Sequence, residues 1–106
     1  MYSPLPTLSR TEGLILELLT SGELFGLALV ERSDGRLKRG TVYVTLGRMH
    51  EKGYIESRTE PLAPGGIGLP RRLYRPTAFG LRVLDASLHA ARAFADRMAM
   101  RAQRMD

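Results

Sequence analysis

The chain has 106 residues, 43% hydrophobic and 25% charged, which excludes a disordered chain and indicates one globular domain with a modest core. It has no cysteine and only two histidines, which excludes disulfides and thiolate metal sites, so we expect no metal and no cofactor. No apolar run approaches the roughly 18 residues of a membrane span, and the N-terminus lacks a signal-peptide pattern. We therefore expect a soluble, cytoplasmic protein that does not bind membranes.

The positive charge is concentrated in the middle of the chain. The net charge is +5, yet residues 36–76 alone carry nine basic and three acidic side chains, a net of +6. Residues 1–35 carry a net of −3, and residues 77–106 a net of +2. A surface that only has to be solvated would spread its charge more evenly, so the pattern favours a basic footprint for a polyanion.

A first helix is predicted after an N-terminal arm at residues 1–8, which holds two prolines and has no periodicity. Ser9 and Glu12 form a capping-box pattern at the start of this helix. Beyond that role, Glu12 is expected to serve solubility alone. The apolar residues that recur at helical spacing are Leu14, Ile15, Leu18 and Leu19.

A second, short helix is predicted over residues 24–33, and the turn signal Asp34-Gly35 follows it. Gly26 near its start favours either a close approach of another helix or a loose helix boundary. The apolar residues that we expect to be buried here are Phe25, Leu27, Leu29 and Val30. A short connection to a third helix gives a helix-turn-helix layout.

The third helix is predicted over residues 39–53 and has two different faces. One is an apolar stripe formed by Val42, Leu46 and Met49, and the other carries Thr41, Val44, Thr45 and Arg48. Lys38 and Arg39 stand at the helix start, where the dipole disfavours cations unless an anion docks there. Gly53 is placed to end the helix in a left-handed turn. These features are typical of a DNA recognition helix, although an amphipathic helix with a solvated polar face shows a similar pattern.

A β-hairpin is predicted directly after this helix. Residues 55–60 and 71–75 have the composition of short strands, and the loop 61–70 between them is rich in proline and glycine. A hairpin at this place is the wing of a winged helix, whose Arg71 and Arg72 would reach phosphates. The alternative is a surface loop with incidental arginines.

The last predicted element is one long helix that starts at the N-cap Thr77. Its apolar residues alternate at spacings of three and four over more than three heptads. They are Leu81, Leu84, Leu88, Ala91, Ala95, Met98, Ala102 and Met105. A helix of about 28 residues is roughly 42 Å long, too long for so small a domain to cover. We expect residues 79–84 to pack on their own domain and the rest to meet a second copy; a terminal helix packed back on its own domain is the alternative.

Two groups of residues resemble the motifs of the PadR family of bacterial transcriptional regulators. The first is Gly40-Thr41-Val42-Tyr43 with Leu46, Arg48-Met49 and Gly53, and the second is Pro70-Arg71-Arg72 with Tyr74, Thr77 and Gly80. The resemblance covers about residues 9–84. It implies a homodimeric winged-helix DNA binder, usually a repressor that responds to a small molecule. The single C-terminal helix is similar to the compact subgroup of that family.

The chain departs from the family pattern at several positions. Lys38-Arg39 replaces the usual Ser-Pro, and Leu27 stands where tyrosine is frequent. Gly47 lies mid-helix where a longer residue is common, which favours a close approach to DNA or to the first helix, or else tolerated drift. The absence of tryptophan argues against an indole-lined pocket at the dimer interface.

The sequence thus predicts a mainly α fold with a small β-hairpin. Residues 1–8 form the arm, 9–76 the winged helix-turn-helix DNA-binding domain and 77–106 the C-terminal dimerisation helix. Arg48 is the best candidate for a base contact, with hydroxyls from Thr41 and Thr45 beside it. The expected phosphate or wing contacts are Lys38, Arg39, Tyr43, Arg71 and Arg72. The expected dimer-interface residues are Leu84, Leu88, Ala91, Ala95, Met98 and Ala102.

Other functions fit the sequence less well. An enzyme is not expected, because no paired carboxylates, activated nucleophile or phosphate-binding loop can be identified. A winged helix that binds a protein partner would not need the charge of residues 36–76. An architectural DNA-binding protein without a ligand response stays open. The expected partners are double-stranded DNA, a second copy of the chain and a small-molecule effector.

Overall fold

The computed structural model describes residues 7–61, 65–66, 68 and 70–104. Its elements are α1 (Arg10–Leu19), β1 (Leu24–Phe25), α2 (Gly26–Arg32), α3 (Arg39–Glu51), β2 (Ile55–Glu60), β3 (Arg71–Pro76) and α4 (Ala78–Arg104). The three strands form an antiparallel sheet in the order β1-β3-β2. This architecture confirms the predicted class, a mainly helical winged helix-turn-helix with a long C-terminal helix. None of these helices has both the length and the apolar character needed to cross a bilayer.

Three sequence predictions fall partly outside the described residues. Most of the arm at residues 1–8, several positions of the loop 61–70, and Met105 of the apolar seam lie there. The domain boundaries at residues 8 and 76 stay predictions.

The start of α1 has the capping box that the sequence predicts. The Ser9 hydroxyl accepts a hydrogen bond from the backbone N–H of Glu12 at 3.1 Å, and the Glu12 carboxylate accepts one from the backbone N–H of Ser9 at 2.9 Å. These bonds satisfy donors that the first helical turn leaves without intrahelical partners. The residues of α1 that lie fully in the core are Ile15, Leu16 and Leu19.

The prediction of a second helix from residue 24 is wrong at its start. Leu24 and Phe25 form β1 and pair with Tyr74 and Leu73 of β3, and the helix begins only at Gly26. The pairing occupies an edge of β3 that a hairpin alone would leave open. Leu27, expected to be buried, is 46% exposed, whereas Leu29 is fully buried.

The turn from α2 to α3 is built around a buried serine. The Ser33 hydroxyl donates to the backbone carbonyl of Val30 at 2.7 Å and accepts from the backbone N–H of Leu37 at 2.9 Å. Asp34 and Gly35 both adopt positive φ, 54° and 84°, as the turn signal predicts. The chain therefore reverses in a few residues, and α3 packs against α2.

The third helix follows the prediction closely. Val42, Leu46 and Met49 are buried. Gly53 has φ of 80°, and the backbone N–H of Tyr54 donates to the carbonyl of Met49 at 2.9 Å, which ends the helix in a left-handed turn. The wing follows at once, with β2 and β3 paired from Ile55–Pro76 to Glu60–Arg71.

A joint formed by Thr77 connects α4 to the end of α3 through two hydrogen bonds, and a third bond of Thr77 caps α4. The Thr77 hydroxyl donates to the carbonyl of Gly53 at 2.6 Å and accepts from the backbone N–H of Gly80 at 2.9 Å, so Thr77 caps α4 as predicted. The backbone N–H of Thr77 also donates to the carbonyl of Tyr54 at 2.9 Å. Val83 and Leu84 are buried in the core, while Leu81 is exposed. Only the first turns of α4 pack on this domain.

Glu12 does more than cap α1, contrary to the sequence prediction. Its carboxylate is buried and forms an ion pair with the Lys52 ammonium group at 2.7 Å. Burial alone would raise the pKa of Glu12, but hydrogen bonds from Lys52 and Ser9, together with the Lys52 charge, outweigh it and lower that pKa below its usual value of 4.5. The pair joins the start of α1 to the residue that ends α3.

We expect Glu12→Gln to destabilise the fold by about 1–2 kcal/mol at pH 7, at the low end for charged hydrogen bonds because Lys52 is half exposed. A carboxyl with a lowered folded-state pKa stabilises the fold above its unfolded pKa and loses that effect as the pH falls through its folded pKa. Urea unfolding at pH 7 and pH 3.5 should therefore show the gap between wild type and Glu12→Gln shrinking in acid. Glu17→Gln, on the exposed side of α1, is the control. A gap of constant size would contradict the role of the Glu12 charge.

Candidate nucleic-acid interface

The outer side of α3 presents the residue types that the sequence predicts for it. Thr41 and Arg48 are exposed, while Thr45 is half-buried at the edge of the helix. Lys38 is the N-cap residue, and no side chain caps the helix start. The free N–H groups of the first turn therefore lie beside the cations Lys38 and Arg39, an arrangement that suits an anion.

Tyr43 connects α3 to α2. Its ring is 45% exposed and lies against Gly26, where an added Cβ would be 2.7 Å from the ring carbon Cε1. Gly26 therefore permits a close approach, as one of the two sequence interpretations held; the approaching group is the Tyr43 ring, which would have to shift if a Cβ were added. The Tyr43 hydroxyl oxygen lies 3.0 Å from the same Cβ position, and Tyr43 lines a groove together with Arg71 and Arg72.

The two arginines at the start of β3, next to the wing loop, are held by local contacts. The Arg71 guanidinium lies 5.2 Å from the centre of the Phe25 ring, within cation–π range. Arg72 donates a hydrogen bond to the Ser57 hydroxyl across the hairpin at 2.9 Å. Neither contact neutralises the positive charge, so both guanidinium groups stay available to an anion.

Ion pairing separates eight of the nine basic side chains of residues 36–76 into two groups. Lys52, Arg58 and Arg75 pair with Glu12, Glu23 and Glu56 at 2.7–2.8 Å. Throughout the described ranges, no carboxylate pairs with the five cations that the sequence predicts to contact DNA. These are Lys38, Arg39, Arg48, Arg71 and Arg72. Most of the uncompensated positive charge of residues 36–76 thus lies at α3 and on the wing, and the remaining cation, Arg36, lies in the turn before α3.

Two open grooves lie between α3 and its neighbours. One of about 540 Å³ is bounded by α2, Tyr43 and the wing residues Arg71 and Arg72. A smaller one of about 310 Å³ lies between α3 and the hairpin, beside Gly47 and His50. Tyr74 lines both grooves, and its burial raises the pKa of its hydroxyl. No cluster of three potential metal-binding side chains occurs in the part of the chain described.

The second half of α4 extends away from the domain. Every residue from Leu88 to Arg104 is exposed, including the predicted interface residues Leu88, Ala91, Ala95, Met98 and Ala102, whereas Leu84 is buried against the core. Phe94 is 63% exposed, and it is not among the predicted interface residues, because it falls between the heptad positions of Ala91 and Ala95. The signal that could have identified it is a large aromatic residue between two alanines of this helix.

A groove of about 670 Å³ lies at the foot of this exposed helix, between α1 and α4. Its apolar walls come from Leu8, Leu14, Leu84 and Leu88. The exposed seam of α4 and this groove are therefore continuous through Leu84 and Leu88.

The sequence profile of the transcriptional regulator PadR-like family matches residues 15–86. A PadR family regulator from Clostridium difficile R20291 has a similar structure, with a TM-score of 0.74 and 26% identity over 87% of this chain and 97% of that one. A regulator from Eggerthella lenta gives a TM-score of 0.71 and 26% identity, over 84% and 78% of the two chains.

Bacillus subtilis PadR, whose structure is a complex with operator DNA, gives a TM-score of 0.69 and 25% identity. That match covers 78% of this chain and 48% of the longer Bacillus chain. No curated protein matches this sequence. The profile match spans more than half of the chain and includes α3, the wing and the start of α4, so this protein belongs to the PadR-like family of transcriptional regulators.

Proposed function

We propose that this protein is a homodimeric repressor that binds a pseudo-palindromic operator through α3 and the wing. One observation carries the proposal: five exposed cations with no carboxylate partner in the described part of the chain lie at the start and on the outer side of α3 and on the wing, whereas the carboxylates Glu12, Glu23 and Glu56 pair with other cations. The complex of Bacillus subtilis PadR with operator DNA supports it by family analogy.

In this proposal α3 enters the major groove, and its residues have two kinds of role. Arg48 forms the base contact, with two donors that match the acceptors of guanine. Thr41 and Thr45 offer hydroxyls at the edges of the helix. The cations that hold the phosphates, and so set affinity and register, are Lys38, Arg39, Arg71 and Arg72, together with the hydroxyl of Tyr43.

The exposed seam of α4 is the proposed dimer interface. A helix of 27 residues is about 40 Å long, and only its first turns contact the rest of the chain. A second copy would bury Leu88, Met98 and Phe94, which are costly to leave in water. A dyad through this seam would present two recognition helices to successive major grooves.

We extend the proposal to release by a small-molecule effector. The groove of about 670 Å³ between α1 and α4 is large enough for a small ligand and adjoins the proposed interface. A ligand there would alter how the two copies meet. A compound that lowers operator affinity without lowering the affinity of a monomeric variant for a half-site would support this part.

Selection from a pool of random duplexes at near-physiological salt tests the proposed function. Enrichment of an inverted repeat with half-sites about 10 base pairs apart is the expected result. Salt-sensitive binding without an enriched motif would overturn the operator and favour an architectural protein. A chain that binds no duplex would favour a protein partner.

The division of roles between Arg48 and Arg72 predicts two different phenotypes. Arg48→Ala should lower operator affinity by about 1–3 kcal/mol and relax preference at one base pair per half-site, leaving random DNA almost unaffected. Arg72→Ala should weaken operator and random duplexes alike and lower the slope of log K against log salt by about one per bound subunit. Titrations of both duplexes at several salt concentrations measure these quantities.

Arg97→Ala is the matched control for both variants, because it removes one exposed arginine from α4 on the side away from the seam. It should leave both affinities almost unchanged. If Arg48→Ala and Arg72→Ala had equal effects on operator and random DNA, the division into base and phosphate contacts would be wrong.

A further inference from the structure

The side of α3 that points directly away from the core has an aliphatic residue at its centre. Val44 is 57% exposed, more than any other apolar residue of this helix. Val42 and Leu46, each two positions away in sequence, lie on the opposite side of the helix and are buried. A β-branched aliphatic residue on a solvated helix surface contributes little to stability, because its helix propensity is modest and its apolar area stays in water. Its position one turn before Arg48 puts both side chains on one surface.

Two of the four neighbours of Val44 one turn away along the helix are glycines, and the other two are Thr41 and Arg48. Gly40 lies one turn before it and Gly47 one turn after it. A Cβ added at either glycine would meet nothing within 4 Å, so no packing inside the chain requires glycine there. The sequence interpretation that Gly47 lets α3 approach α1 is therefore wrong. Two interpretations remain: Gly47 allows a close approach to another molecule, or it is a substitution that the helix tolerates.

We propose that Val44 is a specificity-determining residue that contacts the C5-methyl group of a thymine in each operator half-site. The inference rests on the proposed function, because it requires α3 in the major groove. There the thymine methyl is the apolar group that a base presents, and valine offers methyl groups to pack on it. The absence of side chains at positions 40 and 47 leaves the helix free to approach the base edges.

The spacing of the two residues locates the thymine. Val44 and Arg48 are four residues apart, which is about 6 Å along a helix. Successive base pairs are about 3.4 Å apart. The thymine should therefore lie within about two base pairs of the guanine that Arg48 contacts.

Replacement of thymine by deoxyuridine tests this contact, because it removes the methyl group and leaves the hydrogen-bonding edges unchanged. Each thymine of the selected operator is replaced in turn, symmetrically in both half-sites, and affinity is measured for wild type and Val44→Ala. For wild type, one replacement should cost about fourfold per half-site, as expected for one buried methyl group. Val44→Ala should bind the thymine and deoxyuridine operators equally at that position.

Leu27→Ala is the control, because it removes another exposed aliphatic side chain, outside α3, and should keep the wild-type discrimination. Wild-type binding that is insensitive to every replacement, or discrimination that survives in Val44→Ala, would overturn the inference while specific operator binding still supported the proposed function. Failure to bind any specific duplex would overturn both.

Discussion

Replacing Gly80 with alanine should destabilise the fold by about 3 kcal/mol or more, and lower the midpoint of thermal unfolding by roughly 10–20 °C. A Cβ at Gly80 would collide with the carbonyl oxygen of Tyr54 and lie 2.8 Å from its carbonyl carbon. That carbonyl cannot move away easily, because it accepts a hydrogen bond from Thr77, whose hydroxyl also holds Gly53 and Gly80. Thermal unfolding followed by circular dichroism at one fixed protein concentration measures the effect.

Gly47→Ala is the matched control for this prediction. It adds the same methyl group to a helix, but into open space, so improved helix propensity should stabilise the fold by about 0.8–1 kcal/mol. A Gly80→Ala variant that unfolds within 2 °C or so of wild type would show that α4 adjusts its position without the joint, contrary to the packing described.

Leu88→Glu should convert the proposed dimer into monomers and lower operator affinity by about 100-fold or more. Leu88 is 50% exposed in the single chain and lies where the seam of α4 meets the groove against α1. A carboxylate buried in an apolar interface is strongly unfavourable. Loss of the dimer then removes the second half-site contact, which otherwise binds at a high effective concentration. Sedimentation and operator titration measure the two effects.

Ala93→Glu provides the control, since it puts the same charge on the exposed side of α4 opposite the seam. It should leave both the mass in solution and the operator affinity unchanged. If Leu88→Glu remained dimeric with full affinity, the copies would have to meet through another surface.

The elements that the sequence predicts well are those with local signals. The capping box at Ser9, the left-handed turn at Gly53 and the N-cap at Thr77 each depend on residues within a few positions of one another. The apolar period of α3 is equally local, and all three residues of its predicted stripe are buried. The hairpin was recognisable because a stretch rich in proline and glycine separates two short polar strands.

The features that the sequence did not reveal depend on distant partners. The strand at Leu24 and Phe25 exists because β3 offers it a free edge, and its own residues fit a helical pattern equally well. The pair of Glu12 and Lys52 joins residues 40 positions apart, so it depends on how α1 crosses α3. The predicted DNA contacts and dimer contacts require a second molecule, and a single chain establishes only that most of those residues are exposed.

The joint between Gly53, Tyr54 and Thr77 has a geometric consequence for the proposed dimer. It fixes the angle between α3, which would contact DNA, and α4, which would join the two copies. A small change of this angle would therefore move α3 relative to the dimer axis. The far end of α3, a helix of 13 residues, lies about 20 Å from this joint. A rotation of about 10° at the joint displaces that end by roughly 3 Å, close to the rise of one base pair. In the proposed dimer, the distance between operator half-sites would then depend on two hydrogen bonds, from Thr77 to Gly53 and Tyr54, rather than on the DNA contacts alone.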